Sequence, residues 1–350
     1  MRVAVLGAGA IGAYVGASLC RAGVEVHLIA RGPQLDALRD RGVQVLSDRG
    51  DFAAHPHATD DPRDIGEVDY VFLGLKAHSY PKVGALLPPL LGPHTAVVAA
   101  QNGIPWWYFH KLAGPYEGRR IEAVDPGGET SAVMPRERAI GCVAYPAAIV
   151  ESPGVIRHLE GTRFSIGEPD GTSSERCLGF SEAMVAGGLK CPVEPQLRDD
   201  IWIKLMGNAA LNPISALSRA TMVEICQHPN TRRVVELMME ETLDIAARLS
   251  ALMGFNAAFP MSLIQMSSRN RGSTGHFSPP ATMASLKSRH RCEVVPSGSP
   301  MENLVPSRWR ITPGDSTVVA GNATQPIARS RGITADVSPP GSTASIRRPS

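Results

Sequence analysis

VAVLGAGAIG, residues 3–12, sets three glycines directly behind a short run of β-branched and aliphatic residues. A helical pattern follows over 10–22, and VEVHLIA (24–30) reads as a second strand. Strand, glycine turn, helix and strand within about thirty residues is the setting that gives the spacing meaning. In this reading Gly7 permits a tight turn, Gly9 lets a pyrophosphate come close, and Gly12 allows helix and strand to pack tightly. The free N–H groups of Gly9, Ala10, Ile11 and Gly12, with Ala8 before them, face the phosphates at the positive end of the helix. A bare glycine turn would not require the three-glycine spacing. Dinucleotide binding is the expectation.

The end of the second strand bears on which dinucleotide. An NAD site places Asp or Glu there for the ribose 2′-hydroxyl. Here the chain reads Ala30-Arg31-Gly32, with no acid. A guanidinium suits a phosphate, so Arg31 favours NADP(H) over NAD; the alternative is a solvated surface arginine. DYVFLGLK (69–76) and TAVVAA (95–100) are continuous apolar runs, as strands covered on both faces should be. They deliver Lys76 and Gln101-Asn102-Gly103 at their carboxyl ends, where open α/β sheets bind ligands. A surface lysine and a turn-forming Asn-Gly are the competing readings. RAIGCVAYPAAIV, GVIRH and RFSIGEP, between 110 and 172, look like further strands of the same sheet. Helical periodicity dominates from 197 to 254, giving an α/β nucleotide domain, a helical domain and a cleft between them.

Composition narrows the function classes. Only 19% of residues are charged and the net charge is +2, which argues against a general nucleic-acid binder. The six cysteines are scattered, with neither zinc-site nor disulfide-framework spacing, and read as reduced thiols. The histidines show no ligand-like clustering, so no metal is expected. The apolar start imitates a signal peptide, but its regular glycines fit the nucleotide turn better. No apolar run reaches membrane-spanning length, so a soluble, cytoplasmic protein with no membrane partner is expected.

KLMGNAALN (204–212) places Lys204, Asn208 and Asn212 four residues apart, stacked along one side of a helix among apolar neighbours. Hydride delivered to a ketone leaves charge on oxygen, which needs a proton. A lysine in an apolar groove gives up its proton more readily, and its ammonium stabilises the developing alkoxide. Amides orient a hydroxyl or carboxylate without adding charge. The competing reading is a buried Lys–Asn network that pins two domains together.

Taken together, GAGAIG, Leu75-Lys76, QNG at 101–103 and RDDIWIKLMGNAALNPISAL (198–217) resemble the ketopantoate reductase family from residue 1 to about 262. QNGIPWWYF and IGCVAYPAA resemble its longer-looped branch. The resemblance implies a Rossmann-type doubly wound sheet followed by an all-α C-terminal domain, and NADPH-dependent reduction of 2-dehydropantoate to (R)-pantoate. It implies Lys204 as catalytic proton donor, and Asn102, Asn208 and Asn212 as substrate contacts. Gly7 through Gly12, Arg31, Lys76, Asn102 and Ala147 become the cofactor contacts. It allows a monomer or a homodimer, with a small 2-oxo acid as substrate. The segment 105–128 could reshape the pocket for another branched 2-oxo acid, with Trp106 and Trp107 either lining it or serving as core aromatics.

The pattern breaks after 262. Residues 1–266 hold 24 Lys/Arg and 29 Asp/Glu, whereas 267–350 hold 11 and 4 with 15 Ser and 10 Pro. Such composition leaves little room for packed helices and reads as disordered. It is also what a GC-rich gene yields out of frame. The expected organisation is a nucleotide domain at 1–172, a truncated helical domain at 173–264 and an aberrant or disordered tail at 265–350. The family's downstream serine and glutamate receive no assignment, because Glu302 in Pro300-Met301-Glu302 lies at the wrong spacing from Ala281-Thr282-Met283. Loss of the helices that carry them predicts cofactor affinity with weak turnover and poor stability.

Overall fold

A computed structural model of the chain describes residues 1–252. β1 (Arg2–Leu6), α1 (Ala10–Arg21) and β2 (Glu25–Ile29) form the opening unit, followed by α2 (Gly32–Arg41). Then come β3 (Val43–Ser47), β4 (Phe52–Ala54), β5 (His57–Thr59), β6 (Val68–Leu73), α3 (Tyr80–Val83) and β7 (Leu91–Ala100). A long segment whose α-helix is the short α4 (Glu129–Val133) leads into β8 (Ala139–Ala144), β9 (Ala147–Ser152), β10 (Val155–Glu160) and β11 (Phe164–Gly167). Helices α5 (Glu175–Ala186), α6 (Leu197–Ser218), α7 (Met222–Gln227) and α8 (Pro229–Leu252) complete the described chain.

The main sheet has the order β11-β8-β7-β6-β1-β2-β5, parallel except for β11. After β1 the chain moves outward through β2 to β5, then returns to β6 on the other flank of β1. That reversal leaves a crevice beyond the carboxyl ends of β1 and β6, the ligand position in doubly wound sheets. The mixed α/β sheet with helices behind it is the fold class the sequence implies. The helical domain's end and the tail at 265–350 lie outside the described residues.

One expectation is corrected. β8 and β11 extend the main sheet, but β9 and β10 do not. They join β3 and β4 in a second sheet of order β4-β3-β10-β9. The reason lies in β9, whose last four residues are exposed and end in Glu151-Ser152. Such a strand cannot serve inside a sheet covered on both faces. The second sheet packs on α1, whose Tyr14 ring stacks on His158 at 4.7 Å. Helix α1 is thus covered from two sides, and Gly12–Leu19 are all buried. This accounts for the apolar run that mimics a signal peptide. Among the described residues no helix is long and apolar enough to cross a membrane.

Trp106 and Trp107 are core residues, 2% and 1% exposed, packed with β7 and β8. A Cβ at Gly141 would collide with the Trp107 ring, so β8 carries glycine where the indole crosses it. Full burial of such side chains contributes about 1.5–3 kcal/mol each.

Candidate active site

The glycine turn is held by backbone and by contact between glycines. Gly7 has φ +98°, and its N–H donates to the Ile29 carbonyl at 3.2 Å. A Cβ at Gly12 would strike the Gly7 carbonyl oxygen, and one at Gly74 would lie 2.6 Å from the same atom. Gly74, at the end of β6, is therefore part of the turn's packing, although its lone glycine gave no signal in the sequence. Gly9 differs: it is exposed, and nothing lies within 4 Å of where its Cβ would be. As N-cap of α1 it supplies no side-chain cap, and the first turn carries no acid. Among the described residues the N–H groups of Gly9, Ala10, Ile11 and Gly12 have no backbone acceptor.

Gly9 borders a cleft of about 350 Å³ whose walls also include Gly7, Ala8, Arg31, Gln34 and Asp60. Arg31, N-cap of α2, is exposed and has no hydrogen bond or ion pair among the described residues. Asp60, at the end of β5, is held by Arg39 at 3.3 Å. Gln34 ties the turn in place, donating to the Ala8 carbonyl at 2.9 Å and accepting from the Gly154 N–H at 3.0 Å. Gln34 and Asp60 escape a sequence reading, since neither belongs to a motif. The donor set fits a dinucleotide: free N–H groups and an open glycine for a pyrophosphate, and an unengaged guanidinium for a further phosphate.

The parallel register carries the site along the sheet edge. Leu6 pairs with Leu73, Leu73 with Ala99, and Ala100 with Cys142. Gly7, Lys76, Asn102 and Tyr145 therefore follow the ends of four adjacent strands. At about 4.8 Å per strand, the edge from β1 to β8 spans roughly 14 Å. Lys76 and Asn102 are exposed there. Ala147 is half-buried at the start of β9, two residues beyond Tyr145.

Helix α6 meets this edge at Lys204. Its Nζ lies over the Tyr145 ring, 5.1 Å from the centroid. Burial pushes the amine below the usual lysine range, with Glu160 opposing the shift. Among the described residues Lys204 has no ion pair or hydrogen bond. Asn208 and Asn212, half-buried, stand about 6 and 12 Å farther along the helix. Their amides are likewise without partners among the described residues. The structure thus groups the glycine turn with Arg31, strings Lys76 and Asn102 along one edge, and sets Lys204 above the end of β8. Among the described residues the side chains of Lys204, Asn208 and Asn212 make no hydrogen bonds to one another.

The start of α6 is fixed by Arg198. Its guanidinium donates to the carbonyls of Tyr108 (2.9 and 3.0 Å), His110 (3.0 Å) and Pro169 (2.5 Å). Trp202 adds an indole N–H bond to the Tyr108 hydroxyl at 2.9 Å. The long segment after Asn102 therefore acts as a brace for the helix that carries Lys204.

Comparison with known proteins gives the family. The model of the ketopantoate reductase family (PanE/ApbA) matches residues 3–171, and its C-terminal counterpart matches 196–293. A 2-dehydropantoate 2-reductase of Mesorhizobium japonicum is 45% identical over 250 residues, 71% of this chain and 77% of that protein. The chain belongs to the ketopantoate reductase family. It is an oxidoreductase. A 2-dehydropantoate 2-reductase of Archaeoglobus fulgidus is 28% identical over 78% of this chain and 82% of its own. The crystal structure of 2-dehydropantoate 2-reductase from Geobacter metallireducens superposes with a TM-score of 0.63 at 25% identity, covering 81% of this chain and 87% of its own. The C-terminal family match runs on to residue 293, past residue 262, where the motif resemblance stops. Among the described residues no group of His, Cys, Asp and Glu could hold a metal, and Cys20, Cys142, Cys177, Cys191 and Cys226 are free thiols.

Proposed function

We propose that this chain reduces 2-dehydropantoate to (R)-pantoate with NADPH, and that Lys204 donates the proton. The observation that carries the proposal is the desolvated Lys204 ammonium, unpaired among the described residues, above the sheet edge and one strand from Asn102. NADPH supplies the hydride when bound. Gly9 through Gly12 hold the pyrophosphate on free N–H groups, Arg31 takes the 2′-phosphate, and Lys76 and Ala147 contact the cofactor farther along the edge. Asn102, Asn208 and Asn212 bind and orient the 2-oxo acid, their amides being free to do so. The ammonium of Lys204 stabilises charge growing on the ketone oxygen and passes it a proton. Its displaced pKa makes it a better acid than a solvated lysine. A cytoplasmic setting, with the chain acting as monomer or homodimer, belongs to the same proposal.

The test is NADPH oxidation by the purified full-length protein with a panel of 2-oxo acids. The proposal expects 2-dehydropantoate to give the highest kcat/KM, with turnover lost in Lys204→Ala. Full turnover in that variant removes the proton-donor role. Preference for another branched 2-oxo acid keeps the chemistry and changes the substrate. NADPH binding without turnover of any acid identifies a nucleotide-binding remnant instead.

A further inference from the structure

Asp200 lies one helical turn ahead of Lys204 on α6, and an acid four residues before a lysine is the favoured order for an ion pair on a helix. That pair is absent. Asp200 is instead engaged by Arg163, whose Nη2 is 3.3 Å from its Oδ2 and 2.9 Å from Glu194. The guanidinium also donates to the Ser165 hydroxyl at 3.0 Å. The Tyr145 ring is the shared wall: the Arg163 Cζ lies 5.6 Å and the Lys204 Nζ 5.1 Å from its centroid. Tyr145 is 4% exposed, and its hydroxyl is enclosed near Asp200 and Ser165 without an aligned partner. Strand register builds this stack. The Tyr145 N–H donates to the Arg163 carbonyl at 3.0 Å, continuing the β8–β11 ladder.

We propose that Arg163 and Tyr145 are positioning residues that withhold Asp200 from Lys204, keeping the lysine N–H groups free for the substrate oxygen. The proposal rests on Lys204 as proton donor. A carboxylate beside the ammonium would raise its pKa by about 1–3 units and occupy one of its N–H groups. An aromatic face attracts the cation but accepts no proton. Arginine keeps its charge throughout the working pH range and matches carboxylate geometry, so it holds Asp200 under all such conditions. Among the described residues the groups facing the ammonium are the Tyr145 ring from the end of β8 and Glu160 from β10, with Asp200 on its own helix and Arg163 before β11 behind the ring.

The experiment compares Arg163→Met, Asp200→Asn and the double variant in the full-length protein, measuring kcat and KM for 2-dehydropantoate from pH 6 to 10. Arg163→Met is expected to lower kcat about tenfold and move the alkaline limb of the profile upward by about one unit. Asp200→Asn alone should leave both within about twofold, because its charge is already matched. The double variant should regain most of the lost kcat and return the limb. A double variant no better than Arg163→Met overturns the proposal, since a merely structural arginine is not rescued by removing one acid. If Arg163→Met does not fold, Tyr145→Leu with and without Asp200→Asn makes the same comparison. Lys204→Ala run in parallel separates the two readings. Its full turnover removes the proton donor; its inactivity beside an unrescued double variant removes only the positioning role.

Discussion

Gly9 and Gly12 lie three residues apart in one turn, and the structure gives alanine opposite consequences at the two positions. At Gly12 the new methyl collides with the Gly7 carbonyl, a backbone atom pinned by the β1–β2 crossover. Overpacking of this kind costs about 1–3 kcal/mol, and a fixed backbone partner argues for the upper end. For a chain of this size that lowers Tm by roughly 4–6 °C. At Gly9 the methyl meets nothing within 4 Å, and φ is −78°, which any residue adopts. The gain of about 0.4–1 kcal/mol from a stiffer unfolded chain is offset by a comparable loss in N-cap preference. The apo Tm of Gly9→Ala should therefore match that of the parent. The same methyl occupies the approach of a pyrophosphate and displaces it from N–H donors worth about 1.5–3 kcal/mol each. A hundredfold rise in the NADPH Kd is then about 2.8 kcal/mol. At a concentration equal to about 100 times the parent Kd, NADPH stabilises the parent by about 2.7 kcal/mol and Gly9→Ala by only about 0.4. Thermal melts with and without NADPH read both effects in one assay. A Gly9→Ala protein that keeps the full NADPH-induced shift would mean that the phosphates do not sit on this turn.

Other consequences are equally specific. Arg31→Ala should raise the KM for NADPH about 10- to 100-fold while leaving that for NADH nearly unchanged, and steady-state kinetics with both cofactors measures the ratio. Because burial holds Lys204 below the ordinary lysine range and the proton donor must be charged, kcat should fall on the alkaline side before solvated lysines titrate; a profile flat to pH 10.5 contradicts this. Asp199 is raised to about 6 by burial and by Asp200. The folded state therefore binds its proton more tightly than the unfolded chain, and stability is lost as pH rises from about 4 to 6. Asp199→Asn should consequently add roughly 1–3 kcal/mol at pH 7.5, reduced by the lost helix-dipole contact, and almost nothing at pH 4, as denaturant titrations at both values would record. Arg198→Met should cost about 2–4 kcal/mol by orphaning carbonyls of the 105–110 segment, and it should lower kcat as the brace on α6 loosens; unchanged stability would show that water replaces the guanidinium.

What could be read in the sequence was what repeats locally. Glycine spacing, apolar parallel strands and a four-residue polar rhythm each state their structure within a few residues of themselves. The second sheet was illegible because β10 pairs with β3, so Val155 meets Gln44 across more than a hundred residues. β10's alternation is compatible with either sheet. Tyr145, Arg163 and Gln34 were missed for a related reason. Each is a single residue of an ordinary type, and its role exists only once two or three distant segments converge on it.

Helix α6 shows how such convergence is enforced. Its first turns place Leu197 and Ile201 in the core beneath the main sheet, and its later turns place Met206, Ala210 and Leu211 in a separate core with Ile225, Val235 and Met239. Lys204 falls in the few residues between those two anchorages. Its backbone is held at both ends by burial, and its side chain leaves the helix between the two cores. Apolar packing on either side sets the position of the amine, and the Tyr145 ring sets its direction. This explains why a lysine without an ionic partner among the described residues has a defined place. It also requires that a cavity-forming change in either anchor, such as Ile201→Ala or Met206→Ala, lower kcat more than it raises the KM for NADPH, since the glycine turn lies on other elements and keeps its shape.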